Sequence, residues 1–155
     1  MTMNNVERII QHAEQQCKSR GARLTVKRKQ ILTGLVESSK ALSAYELIDF
    51  CNQRYGHNLP PMSVYRILDF LEQQDLVHKL NLANKYVASI HITCDHERRV
   101  PQFLICRSCN KVKEFSVNES TISEFSKSAT NAGFEFYNPQ VELNCLCSSC
   151  IPPSS

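Results

Sequence analysis

Two C-x-x-C pairs constrain the fold of this 155-residue chain more than any other feature of its sequence. Cys106 and Cys109 form the first pair, and Cys147 and Cys150 form the second. Together they supply four thiolates, the number that a tetrahedral structural Zn²⁺ requires, and the pairs can meet only if the chain folds back on itself. The spacing therefore predicts a structural zinc site in the C-terminal part of the chain.

Thiol-redox chemistry is the main alternative for these cysteines. A redox C-x-x-C is expected as a single pair at the start of a helix in a βαβ unit, whereas residues 103–106 and 111–115 are predicted strands on either side of the first pair. The chain has only four glycines and shows no phosphate-binding loop and no nucleophile–base pairing, so an enzyme is not expected. Cys145 is left as a spare thiol that could exchange into the metal site, be packed or be exposed.

Basic residues concentrate in the first half of the chain and cysteines in the second. Residues 1–85 carry 12 Lys and Arg against 8 Asp and Glu, whereas residues 86–155 carry 6 against 7 and hold six of the eight cysteines. This asymmetry indicates two modules, which we place at residues 1–84 and 91–155, with a hinge at 85–90. No signal peptide and no membrane-spanning apolar run are visible, so a cytoplasmic protein is expected.

The spacing of apolar residues predicts four helices and a β-hairpin in the first module. Thr25 is the expected N-cap of the second helix, and Ser43 begins the third with a capping box. The fourth helix is expected from about Ser63, and two short strands at 76–80 and 85–88 follow it. This order of elements is that of a winged helix-turn-helix.

The second module is predicted to be a small α/β unit. Its expected elements are strands at 103–106 and 111–115, an amphipathic helix at 120–132 and a final strand at 134–144. The whole chain therefore belongs to the α+β class, with a winged helix-turn-helix domain followed by a small domain that holds the four-cysteine zinc site.

The fourth helix is the candidate for insertion into a DNA groove. Its first residues, Ser63, Tyr65 and Arg66, are polar groups away from the apolar stripe, where base-contacting residues of such a helix lie. Residues 18–29 add six cations and no acid, which suits a phosphate backbone. A charge run is also typical of a plain solvated face, winged helices also bind proteins, and Tyr65 could be a half-buried aromatic.

A second set of potential metal ligands comes from both modules. His78 lies in the hairpin, Glu114 in a later strand, and His91, Cys94 and His96 in the segment between them. Nitrogen, sulfur and carboxylate donors together suit zinc, and a metal held by them would fix the relative orientation of the modules. The alternative is that the histidines bind nothing and that Glu114 is a surface residue.

Seven stretches of the sequence resemble the ferric uptake regulator family, and most closely its zinc uptake regulator branch. The resemblance runs from about residue 6 to 150. It is carried by residues 24–32 (LTVKRKQIL), 42–47 (LSAYEL), 63–71 (SVYRILDFL), 76–79 (LVHK), 103–109 (FLICRSC), 112–114 (VKE) and 146–150 (LCSSC).

The resemblance implies a zinc-responsive transcriptional repressor of metal-uptake genes. Such proteins are homodimers that bind palindromic, A·T-rich operator DNA when they are loaded with metal. Carried over by position, Tyr45 assists Ser63, Tyr65 and Arg66 in contacting the operator. The four cysteines of the two C-x-x-C pairs correspond to the structural zinc ligands.

The resemblance also implies a regulatory zinc site, which would give up to two zinc ions per chain. His78 and Glu114 correspond to two of its ligands. The chain has Ser89 and Arg99 where the zinc branch has its other ligands, so Cys94 and His96 are the expected replacements, with His91 as the alternate.

Regulation by iron, manganese or peroxide is the alternative within the same fold. Iron-type relatives carry a histidine-rich run directly before the first C-x-x-C pair, whereas this chain has Arg-Arg-Val-Pro-Gln at residues 98–102. The mixture of nitrogen and sulfur ligands also argues against manganese and iron. The sequence therefore favours zinc as the regulating metal.

Overall fold

The computed structural model of this chain describes residues 4–89, 101–137 and 140–152. The chain divides into two compact units, Met1–Asp95 and His96–Ser155. Among the described residues, no helix is both long and apolar enough to cross a membrane.

The first unit consists of four helices and an antiparallel hairpin, as the sequence predicts. The helices are α1 (Asn5–Ser19), α2 (Val26–Ser38), α3 (Ala44–Tyr55) and α4 (Pro61–Gln73), and the hairpin consists of β1 (Val77–Leu80) and β2 (Lys85–Ala88).

Side-chain caps explain where three of these helices begin. Asn4 caps α1, Thr25 caps α2, and Ser43 caps α3 through a complete capping box with Glu46. The fourth helix, α4, starts at Pro61, slightly earlier than predicted, because proline fits the first turn of a helix, where its missing N–H is not needed.

One continuous core joins the helices of the first unit to its hairpin. Leu32, Leu47 and Leu68, from α2, α3 and α4, are fully buried in it, and so is Val77 of β1. Burial of such side chains stabilises the unit by about 2 kcal/mol each. The core therefore fixes which face of each helix is turned away from the interior.

The predicted hinge overlaps with this hairpin. Residues 85–88 form β2 and pair with β1, and the Tyr86 side chain, only 3% exposed, belongs to the core of the first unit. Tyr86 also exchanges two backbone hydrogen bonds with Leu42, of 2.8 and 3.0 Å. Residues 85–88 are therefore part of the first unit.

A polar cluster ties the C-terminal ends of α2 and α3 together. The Tyr55 hydroxyl donates a hydrogen bond to a Glu37 carboxylate oxygen, which also accepts one from Arg54 Nε at 3.2 Å. The Tyr55 ring stacks on His57 with the ring centroids 5.4 Å apart.

The second unit is a three-stranded sheet with one helix. The strands are β3 (Pro101–Cys106), β4 (Val112–Ser116) and β5 (Val141–Cys145), in the order β4-β3-β5, and the helix is α5 (Glu119–Asn131). The central strand, β3, pairs antiparallel with β4 and parallel with β5, and Cys106 lies opposite Cys145.

The last strand is shorter than the sequence predicts. Residues 134–137 lie in the predicted strand but form none, and β5 begins only at Val141. Gly133 has a φ of +86°, and the Phe134 N–H bonds to the carbonyl of Ala129 at the end of α5. The chain thus leaves the helix through a C-terminal cap, so Phe134 is not available for strand pairing.

The four-cysteine centre and the candidate DNA interface

The topology of the second unit brings the two C-x-x-C pairs together. Cys106 is the last residue of β3, and Cys147 follows the end of β5 by two residues. Because β3 and β5 are parallel neighbours, both pairs emerge at the same edge of the sheet. The four sulfur atoms of Cys106, Cys109, Cys147 and Cys150 lie within 4.8 Å of one another.

Backbone hydrogen bonds shape each C-x-x-C loop. The Cys106 carbonyl accepts from the Asn110 N–H at 2.9 Å, and Asn110 has a φ of +64°, in the left-handed region that asparagine tolerates. The Cys147 carbonyl accepts from the N–H groups of Cys150 and Ile151 at 2.9 and 3.0 Å. Both loops are therefore formed by the protein backbone itself.

The sulfur geometry fits a zinc ion. A tetrahedral site with Zn–S bonds of about 2.3 Å has sulfur–sulfur distances of about 3.8 Å. The sulfur atoms of Cys109 and Cys147 are 3.7 Å apart. The loops thus hold the thiols close to the arrangement that zinc needs.

Hydrogen bonds shift the pKa values of two of these thiols in opposite directions. The Cys147 N–H donates to the Cys106 sulfur at 3.3 Å, and this bond is the main cause that lowers the pKa of Cys106 from 9.0 to about 6. The hydrogen bond with Cys147 raises the pKa of Cys150 to about 12. A cation beside these two sulfur atoms would favour their thiolate forms, since a metal ion lowers the pKa of a thiol that it contacts.

Cys145 does not belong to this centre. Its thiol donates to the carbonyl of Leu143 at 3.5 Å, and the four-cysteine cluster does not include it. The sequence leaves open whether Cys145 exchanges into the metal site, is packed or is exposed. In the structure it is a partly buried thiol next to the four-cysteine cluster.

The predicted regulatory ligands are only partly covered by the structure. His78 lies half-buried in β1, and Glu114 lies in β4 with 8% of its surface exposed. His91, Cys94 and His96 fall outside the described residues. Within the described ranges, only the four cysteines group as candidate metal ligands, so the regulatory set stays a prediction.

The fourth helix, α4, presents the predicted DNA-contacting residues on its outer face. Its inner face is fixed by Val64 and Leu68, which are fully buried. Tyr65 is 38% exposed, Arg66 is exposed and Ser63 is half-buried. No side chain caps the N-terminus of α4 and no acidic residue lies in its first turn, so nothing there repels a phosphate.

Two further exposed residues lie near the N-termini of the helix-turn-helix pair. Tyr45, which the resemblance predicts as a DNA contact, is 63% exposed in the first turn of α3. Met62, in the first turn of α4, is 68% exposed. Sequence reasoning missed Met62 because it considered only polar side chains, although its spacing from Tyr65 and Arg66 places it on their face.

Half of the predicted basic run serves the first unit itself. Arg20 pairs with Asp75 at 3.1 Å and Lys29 with Glu14 at 2.5 Å. Arg28 lies over the Phe70 ring, 3.6 Å from its centroid. The other cations are exposed and make no ion pair within the described parts of the chain. They are Lys18, Arg23 and Lys27.

A family model now identifies the chain. The model described as the ferric uptake regulator family matches residues 19–144. This chain belongs to the ferric uptake regulator family. The family and the α+β fold class predicted from the sequence are confirmed.

Within the ferric uptake regulator family, the chain is similar to zinc and ferric uptake regulators. It is 32% identical to the zinc uptake regulation protein of Escherichia coli over 151 residues, which are 97% of this chain and 86% of that protein. It is 26% identical to the ferric uptake regulation protein of Helicobacter pylori over 117 residues, covering 74% and 73%. A solved zinc uptake regulator complexed with zinc and DNA matches with a TM-score of 0.82 and 30% identity, covering 96% and 97%.

Proposed function

We propose that this protein is a zinc-responsive transcriptional repressor of metal-uptake genes, which binds operator DNA as a homodimer when it is loaded with zinc. The observation that carries the proposal is the match, across nearly the whole of both chains, to a zinc uptake regulator complexed with zinc and DNA. The four-cysteine geometry supports it independently, because those sulfur atoms are already placed for zinc. Such a repressor acts in the cytoplasm, where it reaches its operator.

The DNA contacts are assigned to the outer face of the helix-turn-helix. Arg66 and Tyr65 project from α4 towards base edges, Ser63 stands at its start, and Tyr45 contacts the duplex from α3. An arginine offers several donors to a guanine or a phosphate, whereas the tyrosines add apolar surface and one hydroxyl each. Exposed cations outside α4 add affinity that does not depend on sequence.

A homodimer explains the apolar surface of the second unit. No residue of α5 is buried within the chain, although the helix is amphipathic. A second copy would cover this surface, and a two-fold dimer matches the symmetry of a palindromic, A·T-rich operator. The large exposed apolar side chains of the second unit are Phe125, Phe134, Phe136, Tyr137, Leu143, Leu146 and Ile151.

Two kinds of zinc site are proposed. The four-cysteine site is structural, because its ligands leave no open position. The regulatory site takes His78, Cys94, His96 and Glu114, with His91 as the alternate. If zinc at this site favours the DNA-binding form, DNA strengthens zinc binding by the same factor, and a coupling of about 1–3 kcal/mol gives a switch of roughly 5- to 150-fold.

The first test concerns the DNA interface. Tyr65→Ala and Arg66→Ala are each expected to weaken zinc-dependent operator binding by roughly 5- to 150-fold, since a good base contact is worth about 1–3 kcal/mol. Far-UV circular dichroism should stay unchanged because both side chains are exposed. Lys127→Ala, which removes an exposed charge from the second unit, is the matched control. Wild-type affinity in both α4 variants would move the interface away from this helix.

The second test separates the two zinc sites. His78→Ala should keep one zinc per chain by elemental analysis after mild chelation, but lose the zinc response in a gel-shift assay. Cys109→Ser should lose the retained zinc. An unchanged zinc response in His78→Ala would remove His78 from the regulatory set.

A titration of the wild type with Zn²⁺, Fe²⁺ and Mn²⁺ in the same gel-shift assay decides which metal regulates DNA binding.

A further inference from the structure

We propose that Met62 recognises the C5-methyl group of a thymine beside the bases that Tyr65 and Arg66 contact. This inference rests on the proposed function, since it requires α4 to lie in the major groove. It adds a specificity-determining residue to the interface, and that residue is apolar.

The orientation of α4 places Met62 at the groove. Val64 and Leu68 anchor the inner face of the helix in the core of the first unit. Met62 precedes Tyr65 by three residues and Arg66 by four, so all three share the outer face. Met62 lies one turn closer to the N-terminus, the end of a recognition helix that contacts base edges.

The exposure of Met62 is unusual for its side chain. At 68% it is far more exposed than Tyr65 at 38%, and more exposed than Ser63, which is half-buried. Among the described large apolar residues of the first unit, five are exposed, and three of them lie near the N-termini of α3 and α4. The five are Val26, Tyr45, Met62, Tyr65 and Leu82. The apolar surface is thus concentrated where the proposed DNA interface lies.

The chemistry of the side chain selects its partner. A thioether donates no hydrogen bond and accepts only weakly, so it gains little from the polar edges of guanine, adenine or cytosine. The thymine methyl is the one apolar group that the major groove displays. A flexible methionine can follow this methyl group without a fixed angle of approach. Met62 is therefore expected to favour thymine over cytosine at one position of each half-site.

The experiment removes methyl groups from the DNA. Full-length, zinc-loaded protein is titrated with an operator obtained by in vitro selection, in which each thymine is replaced in turn by deoxyuridine. This change deletes the methyl group and keeps every hydrogen-bonding group of the base. For the wild type we expect affinity to fall about fourfold for each methyl group removed at one symmetry-related pair of positions. The affinity of Met62→Ala should not decrease when the methyl groups at that pair of positions are removed.

Two control variants make the outcome decisive. Met62→Leu should retain the preference for thymine, and Val26→Ala, which truncates an exposed apolar residue outside α3 and α4, should leave it unchanged. Met62→Ala is expected to fold normally, because the position is exposed and alanine favours helices. The proposal is overturned if Met62→Ala discriminates thymine from uracil as the wild type does. That result would also hold if the substitution weakened only the self-association of the protein. Absence of zinc-dependent operator binding by the wild type would instead overturn the proposed function.

Discussion

Tyr55 shows how a single side chain holds part of the first unit in place. Its hydroxyl donates to Glu37, and so joins the end of α3 to the end of α2. Burial is the main cause that raises the pKa of Tyr55 to about 12, and the neighbouring Glu37 carboxylate adds to it. Folding therefore favours the protonated donor below pH 10, and this contribution is lost only as the pH rises from 10 to 12.

Tyr55→Phe is expected to lower the free energy of unfolding by about 1–2 kcal/mol, because it removes a hydrogen bond to a charged group. Urea unfolding followed by far-UV circular dichroism measures the change. Arg54→Gln is the comparison, since Arg54 contacts the same carboxylate but its side chain is 63% exposed, and it should cost less than about 1 kcal/mol. Equal decreases in both variants would contradict this ranking.

At this scale, sequence reasoning succeeded where spacing encodes the chemistry. The clustering of the four cysteines follows from two C-x-x-C pairs, because each pair carries its own loop geometry. The interactions that occupy half of the basic run could not be predicted. Arg28 meets Phe70 and Arg20 meets Asp75 only because the ends of α1 and α4 and the start of α2 come together in the fold.

The packing of α2 against α3 depends on a residue without a side chain. A Cβ atom at Gly34 would lie 2.7 Å from the Cys51 sulfur and 3.2 Å from a Leu47 methyl carbon. Both of these neighbours are buried, Cys51 at 1% exposure and Leu47 at 0%. The helices can therefore approach this closely only with glycine at position 34.

Gly34→Ala is expected to destabilise the first unit by up to about 2 kcal/mol, because an overpacking cost of about 1–3 kcal/mol is offset by a gain of about 1 kcal/mol in helix propensity. Thermal unfolding measures the shift. In a Cys51→Ala background the same substitution should cost less, because the sulfur atom is gone. Additive effects of the two changes would refute the proposed clash.

The capping box of α3 predicts a dependence on pH. Ser43 N–H donates to a Glu46 carboxylate oxygen at 3.0 Å, and this bond is the main cause that lowers the pKa of Glu46, while Lys85 lowers it further. The folded state therefore holds the Glu46 proton more weakly than the unfolded state. Its contribution to stability is present above about pH 4.5 and is lost as the pH falls below that value.

Glu46→Gln should be less stable than the wild type at pH 7, and the difference should shrink as the pH falls from about 5 to about 3. Urea titrations at several pH values test this. Ser43→Ala is the comparison, with a decrease of about 1 kcal/mol at pH 7 from the missing cap. A constant difference for Glu46→Gln would mean that its charge contributes nothing.

Local signals predicted most of the elements, and their limits are physical. Ser43 and Glu46 predicted the start of α3 because a capping box lies within four consecutive residues. The strand predicted at 134–144 was too long, because a left-handed Gly133 and the helix cap at Phe134 depend on how α5 ends. An alternation of apolar residues alone does not reveal that competition.

Some cations of residues 18–29 form ion pairs within the first unit and others do not. This difference predicts how each of them affects the salt dependence of DNA binding. Lys18→Gln and Lys27→Gln should each reduce the slope of log affinity against log salt by about 0.9 for each phosphate that the lysine neutralises, or about twice that in a homodimer. Fluorescence anisotropy at salt concentrations from about 50 to about 300 mM measures the slope.

Lys29→Gln is the control for that experiment. Lys29 already pairs with Glu14, so its removal should change the slope less than the removal of Lys18 or Lys27. Equal slopes in all three variants would show that ion pairs within the first unit do not determine which cations neutralise DNA phosphates.

The parallel pairing of β3 with β5 leaves the part of their connection beyond Cys109 free to vary. The four cysteines of the centre lie at or just beyond the ends of these two neighbouring strands, and none of them lies on β4 or α5. During evolution, insertions and deletions in that part of the chain can alter the surface proposed for self-association while the four cysteines stay together. A protein engineer could likewise exchange α5 to redirect the proposed subunit pairing without rebuilding the four-cysteine centre.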